Sequence, residues 1–217
     1  MSISAKIRYQ LFMLSLPLVL GCMTGCSSIL SKQVSQTVYY SLDGAQTKAQ
    51  TDNAAHTVNA LPTLAVHIPK AAAGFDSRRM MYSRSQHQLE YFARSEWVDT
   101  PSHMLQPLIV SAIERTHSYS AVVPKLPAAK TDLKLESEIL SLVQDFNTKP
   151  STVRFTLRVT ILNNATGKIV ALREFDERVT AVTDDPVGGV KAANVAVANV
   201  LEKLGSFSAA TASNWKH

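Results

Sequence analysis

Cysteine carries the most reactive side chain of the twenty, and this chain of 217 residues has two, Cys22 and Cys26. Both fall within or just behind a short apolar stretch near the N-terminus. Nothing from residue 27 onward can therefore form an intrachain disulfide or a thiolate metal site. The histidines, at 56, 67, 87, 103, 117 and 217, are scattered. No two of them have the i, i+3 or i, i+4 spacing that aims two imidazoles at one ion from a helix, so no metal is expected. Gly-x-Ser-x-Gly, His-Glu-x-x-His and a glycine-rich phosphate loop are all missing from a sequence with only eight glycines. The adjacent pair Asp184-Asp185 could serve acid/base or metal chemistry, but it stands directly before Pro186, where a carboxylate caps a helix and complements its dipole. No catalytic group and no cofactor are expected.

The chemistry that remains is that of a single thiol. Lys6 and Arg8 make a basic start, Leu11 to Leu20 a short apolar core, and small residues follow at Gly21, Thr24 and Gly25, the layout of a secretory signal peptide. Pro17 interrupts a core already shorter than the roughly 20 residues a membrane span needs. Met23-Thr24-Gly25-Cys26-Ser27-Ser28 resembles a bacterial lipobox, in which the cysteine thiol receives a diacylglyceryl group and the chain is cut before it. Val19-Leu20-Gly21-Cys22 offers a rival. Cys26 is preferred because Cys22 would leave a core of barely ten residues and would not use the small pair Thr24-Gly25. Ser27 stands where aspartate would retain such a protein in the inner membrane, so the motif implies the periplasmic face of the outer membrane in a Gram-negative cell.

Length and composition suit one globular domain, at 46% hydrophobic and 18% charged residues. Removal of the first 25 residues, which carry two bases and no acid, leaves 192 residues with 20 basic and 17 acidic side chains. So mild an excess argues against nucleic acid, which needs a concentrated basic face. Attachment to the membrane rests instead on acyl chains, at roughly 0.8 kcal/mol per buried CH₂.

The elements that must carry any functional surface are legible from periodicity. A polar tether over 26–37 leads to a β-prone run at Val38-Tyr39-Tyr40-Ser41-Leu42 and a turn at Asp43-Gly44, followed by a polar loop over 45–60. Leu64, Val66 and Ile68 alternate with Thr63, Ala65 and His67 as in a half-buried strand ending at Pro69. Arg79 to Ser83 and His87 to Phe92 are shorter strand candidates. Thr100-Pro101 opens a helix, with Thr100 as its cap and Leu105, Leu108, Ile109, Ala112 and Ile113 on its apolar face. Strands resume at Asp132, and Val153, Phe155, Leu157, Val159 and Ile161 give the clearest alternation in the chain. Asn163 to Lys168 is a turn, with Ile169 to Val179 pairing back. Asp185-Pro186 opens an alanine-rich helix expected to stop at Gly205. The expected fold is α+β: a mainly antiparallel sheet with two amphipathic helices packed on one face. The domain is read as 38–205, with a C-terminal tail over 206–217.

Within this frame Tyr82, Tyr91, Phe92 and Trp97 form an aromatic cluster, and Arg78, Arg79, Arg84 and Arg94 lie within the same short stretch. These aromatics read either as core beneath the first helix or as a docking or lipid-contact surface, since Tyr and Trp join apolar area to a polar tip. The arginines read as a solvated face, or as a surface for an acidic partner or phospholipid headgroups. Tyr82, Tyr91, Trp97, Arg78, Arg79, Arg84 and Arg94 are the candidate partner-binding residues, and Cys26 the lipid attachment site.

In order along the chain, Tyr40-Ser41-Leu42, Leu64-x-Val66-x-Ile68-Pro69, Arg79-Met80-Met81-Tyr82, Leu89-Glu90-Tyr91-Phe92-Ala93 with Trp97, and Met104-Leu105 resemble the ABC-type transport auxiliary lipoprotein family, of the paraquat-inducible lipoprotein type. The likeness continues through Gly167-Lys168-Ile169-Val170, Arg173-Glu174-Phe175 and the terminal alanine-rich helix. It implies a non-enzymatic accessory or scaffold protein. Its implied partners are a mammalian-cell-entry-domain protein and inner-membrane transporter components, in traffic of lipid or toxic compounds between membranes, and it leaves self-association as a homo-oligomer open. On independent ground, about 190 residues fold to a radius of gyration of roughly 16 Å, too compact to bridge a periplasm alone. A different class of function, a periplasmic lipid carrier or chaperone, would need an apolar cavity between sheet and helices.

Overall fold

The computed structural model describes residues 36–43, 61–124 and 130–215. The signal segment, both cysteines and the polar loop over 45–60 lie outside the described residues. The elements run β1 (Val38–Tyr40), β2 (Thr63–Val66), β3 (Lys70–Ala71), β4 (Arg79–Ser85), β5 (Gln88–Trp97), α1 (Pro101–Glu114), β6 (Ala121–Pro124), β7 (Leu133–Asp145), β8 (Thr152–Asn163), β9 (Ile169–Thr180) and α2 (Pro186–Ser213).

Everything is organised by β7. One of its edges pairs with β8 in an antiparallel ladder along nearly its whole length, and β9 continues that ladder. The other edge accepts three strands in succession, all parallel to it: β2 at Leu133–Leu135, β3 at Glu138 and Ile139, and β4 at Val143–Asp145. β6 extends the sheet beyond β2, and β5 extends it beyond β4, with β1 outermost as the parallel neighbour of β5. The fold is α+β as expected. Its longest ladders are antiparallel, and the short strands on the far side of β7 add parallel pairs.

The alternation in β8 does what it promises. Val153, Phe155, Leu157, Val159 and Ile161 are all buried against the helices, while Arg154 and Arg158 face solvent on the other side. Leu133, Leu135 and Ile139 of β7 and Phe175 of β9 join that core. α2 lies along β8 and β9, and α1 packs against α2, β6 and β2. From α1 the core takes Leu105, Ile109, Ala112 and Ile113, and from α2 Ala192, Ala193, Ala196, Val197, Val200, Leu201 and Leu204. Small alanines let α2 sit close to the sheet.

Four local expectations are corrected. In β2, Ile68 is exposed because the strand ends at Val66, and Ala65 is buried on the opposite face, so both faces of this strand are covered. Thr100 has the extended conformation of a cap but its side chain makes no capping bond; Asp99 Oδ1 instead accepts from the Thr100 amide at 2.6 Å. Leu108 is only half-buried, so the apolar face of α1 is centred on Leu105 and Ile109. Gly205 does not stop α2, which continues two turns further to Ser213. A Cβ at Gly205 would lie 3.2 Å from the Ala112 carbonyl oxygen, so this glycine serves the crossing of the two helices rather than a terminus.

Candidate functional site

The helices cover one face of the sheet and leave much of the other to solvent, although Ala65, Met81 and Val143 are buried on that face as well. Register tells which side chains share the open face. Val143 is opposite Met81 in β4 and opposite Arg154 in β8. Tyr91 is opposite Met81, and Glu96 is opposite both Tyr39 of β1 and Arg79 of β4. Arg79, Tyr91, Glu96 and Tyr39 therefore stand together with Arg154 on the uncovered face.

On that face the arginines are seated on tyrosines. The Arg79 guanidinium carbon lies 5.0 Å from the Tyr91 ring centroid, and that of Arg78 lies 5.2 Å from the Tyr39 centroid. Arg78 also pairs with Glu96 at 3.5 Å and donates from Nε to the Trp97 carbonyl oxygen at 3.3 Å. Each stack contributes on the order of 0.5–1 kcal/mol at an exposed site. Stacking occupies the flat face of the guanidinium and leaves its edge, with its fork of N–H donors, able to meet a carboxylate. Further along the sheet, charges are already satisfied pairwise: Arg154 with Asp176 at 2.7 Å, and Arg158 with Glu174 at 3.0 Å and Glu138 at 3.5 Å.

The remaining candidates are placed elsewhere. Tyr82 is one step out of phase with Met81 and so faces the helix side, where its ring packs on Phe92 at 4.5 Å and Phe146 at 5.7 Å. Its hydroxyl donates to Glu90 Oε2 at 2.9 Å, and Arg84 grips the same carboxylate twice, Nε to Oε1 at 3.0 Å and Nη2 to Oε2 at 2.5 Å. Hydrogen bonding from Arg84 first and Tyr82 second holds the Glu90 carboxyl below the usual carboxylate range, and the bond to Glu90 in turn raises the Tyr82 phenol. Arg94 is exposed in an irregular excursion of β5, where the register against β4 shifts between Arg79 and Met81. Trp97 is corrected from surface to core: it is 4% exposed and belongs to the main apolar cluster. The twenty residues from Arg78 to Trp97 thus divide among an open face, a self-contained Tyr82–Arg84–Glu90 cluster, a bulge and the interior. Tyr39 and Glu96, which complete the open-face group, come from register across strands rather than from nearness in sequence.

Asp184 and Asp185 are occupied structurally. Asp184 Oδ1 accepts from the Ser151 amide at 2.6 Å, and Asp185 Oδ1 accepts from the Gly188 amide at 2.7 Å, capping α2. These backbone bonds hold both carboxyls below their ordinary range. Among the described residues no group of three His, Cys, Asp or Glu side chains could hold a metal.

A surface of stacked arginines and tyrosines on a sheet without a catalytic constellation suits binding. The model of the family described as "ABC-type transport auxiliary lipoprotein component" matches residues 40–205, from the last residue of β1 into the terminal helix. The chain belongs to this family. It is thus a lipoprotein-family accessory component of transport, with a membrane-associated location. A Xanthomonas campestris protein of the DUF330 family superposes with TM-score 0.64 at 22% identity, covering 70% of this chain and 86% of that one. A second solved structure, an uncharacterized protein, superposes with TM-score 0.62 at 14% identity, covering 80% and 99% respectively. At such identities these likenesses show the fold alone. No curated protein matches the sequence significantly.

Proposed function

We propose that this auxiliary lipoprotein is anchored through Cys26 to the periplasmic face of the outer membrane. There it is the docking component of an ABC or mammalian-cell-entry-type system that moves lipid or toxic compounds between membranes. The observation that carries the docking role is the Arg78–Tyr39 and Arg79–Tyr91 pair of stacks on the open sheet face. Arginine and tyrosine are the residue types in which interface energy concentrates, and the stacks hold both side chains in place before a partner arrives. The lipobox and Ser27 support the anchor and its membrane, and the family supports the transport role. The partner's complementary feature is a carboxylate-bearing surface, met by the edge of Arg79.

The packing between the sheet and α2 does not favour a lipid carrier. Between the sheet and α2, the space lined by Met80, Phe92, Trp97, Leu142 and Ala193 amounts to about 20 Å³, room for one water and not for an acyl chain.

The test is binding of the purified lipoprotein to the mammalian-cell-entry-domain protein of its own cell, with thermal stability measured on every variant. Arg79→Glu and Tyr91→Ala are expected to weaken association at least tenfold while lowering the melting temperature by no more than a few degrees, the loss of one exposed stack. Unaltered affinity in both variants would overturn the assignment of this face, and sizing of the unbound protein shows whether copies of the chain compete for it.

A further inference from the structure

A second exposed surface lies at the edge of the molecule where the described chain begins. Val38 and Tyr39 of β1 are 49% and 52% exposed, and Val98, whose amide donates to the Tyr40 carbonyl oxygen at 2.8 Å, is 49% exposed beside them. α2 meets β1 here. Asn194 accepts from the Asp43 amide at 2.8 Å and donates to the Ser41 carbonyl oxygen at 3.1 Å. Tyr39, Tyr40, Val190, Lys191, Asn194 and Val195 line one open concavity of about 540 Å³. Val187, Lys191 and Val195 follow each other at i, i+4 and i+8 on one helix face, and both valines are near 45% exposed. Tyr40 and Val190 pack partly against the core, whereas Val38, Tyr39, Val98, Val187 and Val195 are exposed and take no part in it.

We infer that this β1–α2 edge rests on the phospholipid surface to which the protein is anchored. The inference rests on the acylation of Cys26 in the function proposed above. Only nine residues separate Cys26 from Gln36. The ten Cα–Cα steps from Cys26 to Gln36 span at most about 35 Å. β1 is therefore the part of the domain held closest to the acyl chains. The chemistry of the patch fits a bilayer interface: aliphatic side chains for the acyl boundary, the Tyr39 ring with its polar tip for the headgroup level, and cationic Lys191 and Arg78 for lipid phosphates. Arg78 covers the Tyr39 ring and pairs with Glu96, and Asp43 lies in the same concavity, so the attraction comes from apolar contact and local cations rather than from net charge. Each added contact is made at high local concentration, because the anchor has already brought the surfaces together. Tyr39 and Arg78 then mark the border between the membrane-facing edge and the open sheet face that holds Arg79 and Tyr91.

The mature chain has no thiol besides that of Cys26, so an introduced cysteine can be labelled alone. Val195→Cys and, at the opposite edge of the sheet, Leu172→Cys would each carry an environment-sensitive fluorophore in the full lipoprotein. The proteins are reconstituted into phosphatidylethanolamine/phosphatidylglycerol vesicles containing headgroup-level quencher lipids. The expected result is a blue-shifted emission and several-fold stronger quenching at 195 than at 172, reduced by Lys191→Glu. Equal, water-like emission at both positions, in protein whose mass shows the acyl group, would overturn the inference while leaving the anchor intact. A mass without acyl groups would overturn the anchor and the inference together. A blue shift at 195 without quenching by the headgroup-level quencher lipids would mean that protein, not lipid, covers the edge, and would also overturn it.

Discussion

At the scale of single residues, the decisive contrast is between Trp97 and Tyr91, six positions apart on one strand. Trp97 is sealed in the core and Tyr91 is 40% exposed beneath Arg79. Trp97→Ala should cost on the order of 3–5 kcal/mol, as large aromatic truncations in cores do. Tyr91→Ala should cost no more than about 1 kcal/mol, the worth of its stack with Arg79. Urea unfolding of the two variants distinguishes them, and a Trp97 variant as stable as the parent would contradict the buried placement. Composition announced that this stretch was special without saying how it divides. An arginine next to a tyrosine in sequence reads as one cluster, whereas strand pairing sends Tyr82 and Met81 to opposite faces and brings Tyr39 to Arg78 from 39 positions away. The Arg84–Glu90 pair was likewise invisible, since its members are joined only by the β4–β5 hairpin.

The elements differ in how much of themselves they disclose, and the reason is burial. β8 has one wet and one dry face, so its alternation is plain in the sequence. In β2 the alternation is present but misleads, since Ala65 is buried too and the period runs past the strand's end at Val66, while β3 with two residues carries no period. Gly205 resembles a helix stop because glycine's usual place at a helix end is set by the backbone, while here it is set by the neighbouring helix. The same close packing governs the start of α2. A Cβ at Gly188 would come 2.1 Å from the Thr183 carbonyl oxygen. Gly188→Ala should therefore destabilise the protein, although alanine gains about 1 kcal/mol in helix propensity. A rise in melting temperature for that variant would show that the loop before α2 yields. In α1, Leu105→Ala is expected to cost roughly 2–5 kcal/mol and half-buried Leu108→Ala distinctly less, both read from denaturant midpoints.

For the molecule as a whole, the carboxylates act together in acid. Asp176 is held below its usual range first by Arg154 and then by Thr156, Glu177 first by Lys203 and Glu136 first by Lys134. Carboxyls more acidic in the folded than in the unfolded chain add stability above the ordinary range, about pH 4, and lose it as pH falls through their lowered values. The melting temperature should be flat near neutrality and drop below about pH 4, less steeply in Asp176→Asn. At the opposite edge from that charge ladder, β1 is a strand of three residues joined to β5 alone in the sheet, and it is the strand next to the tether. Were the chain anchored through Cys26, as proposed, a pull on that attachment would enter the domain through its shortest outer strand. Tension would then strip Val38–Tyr40 from β5 while the long β7–β8–β9 ladder bears no load. Such an anchor would let the domain stretch by a few residues at its collar before its interior felt the envelope move.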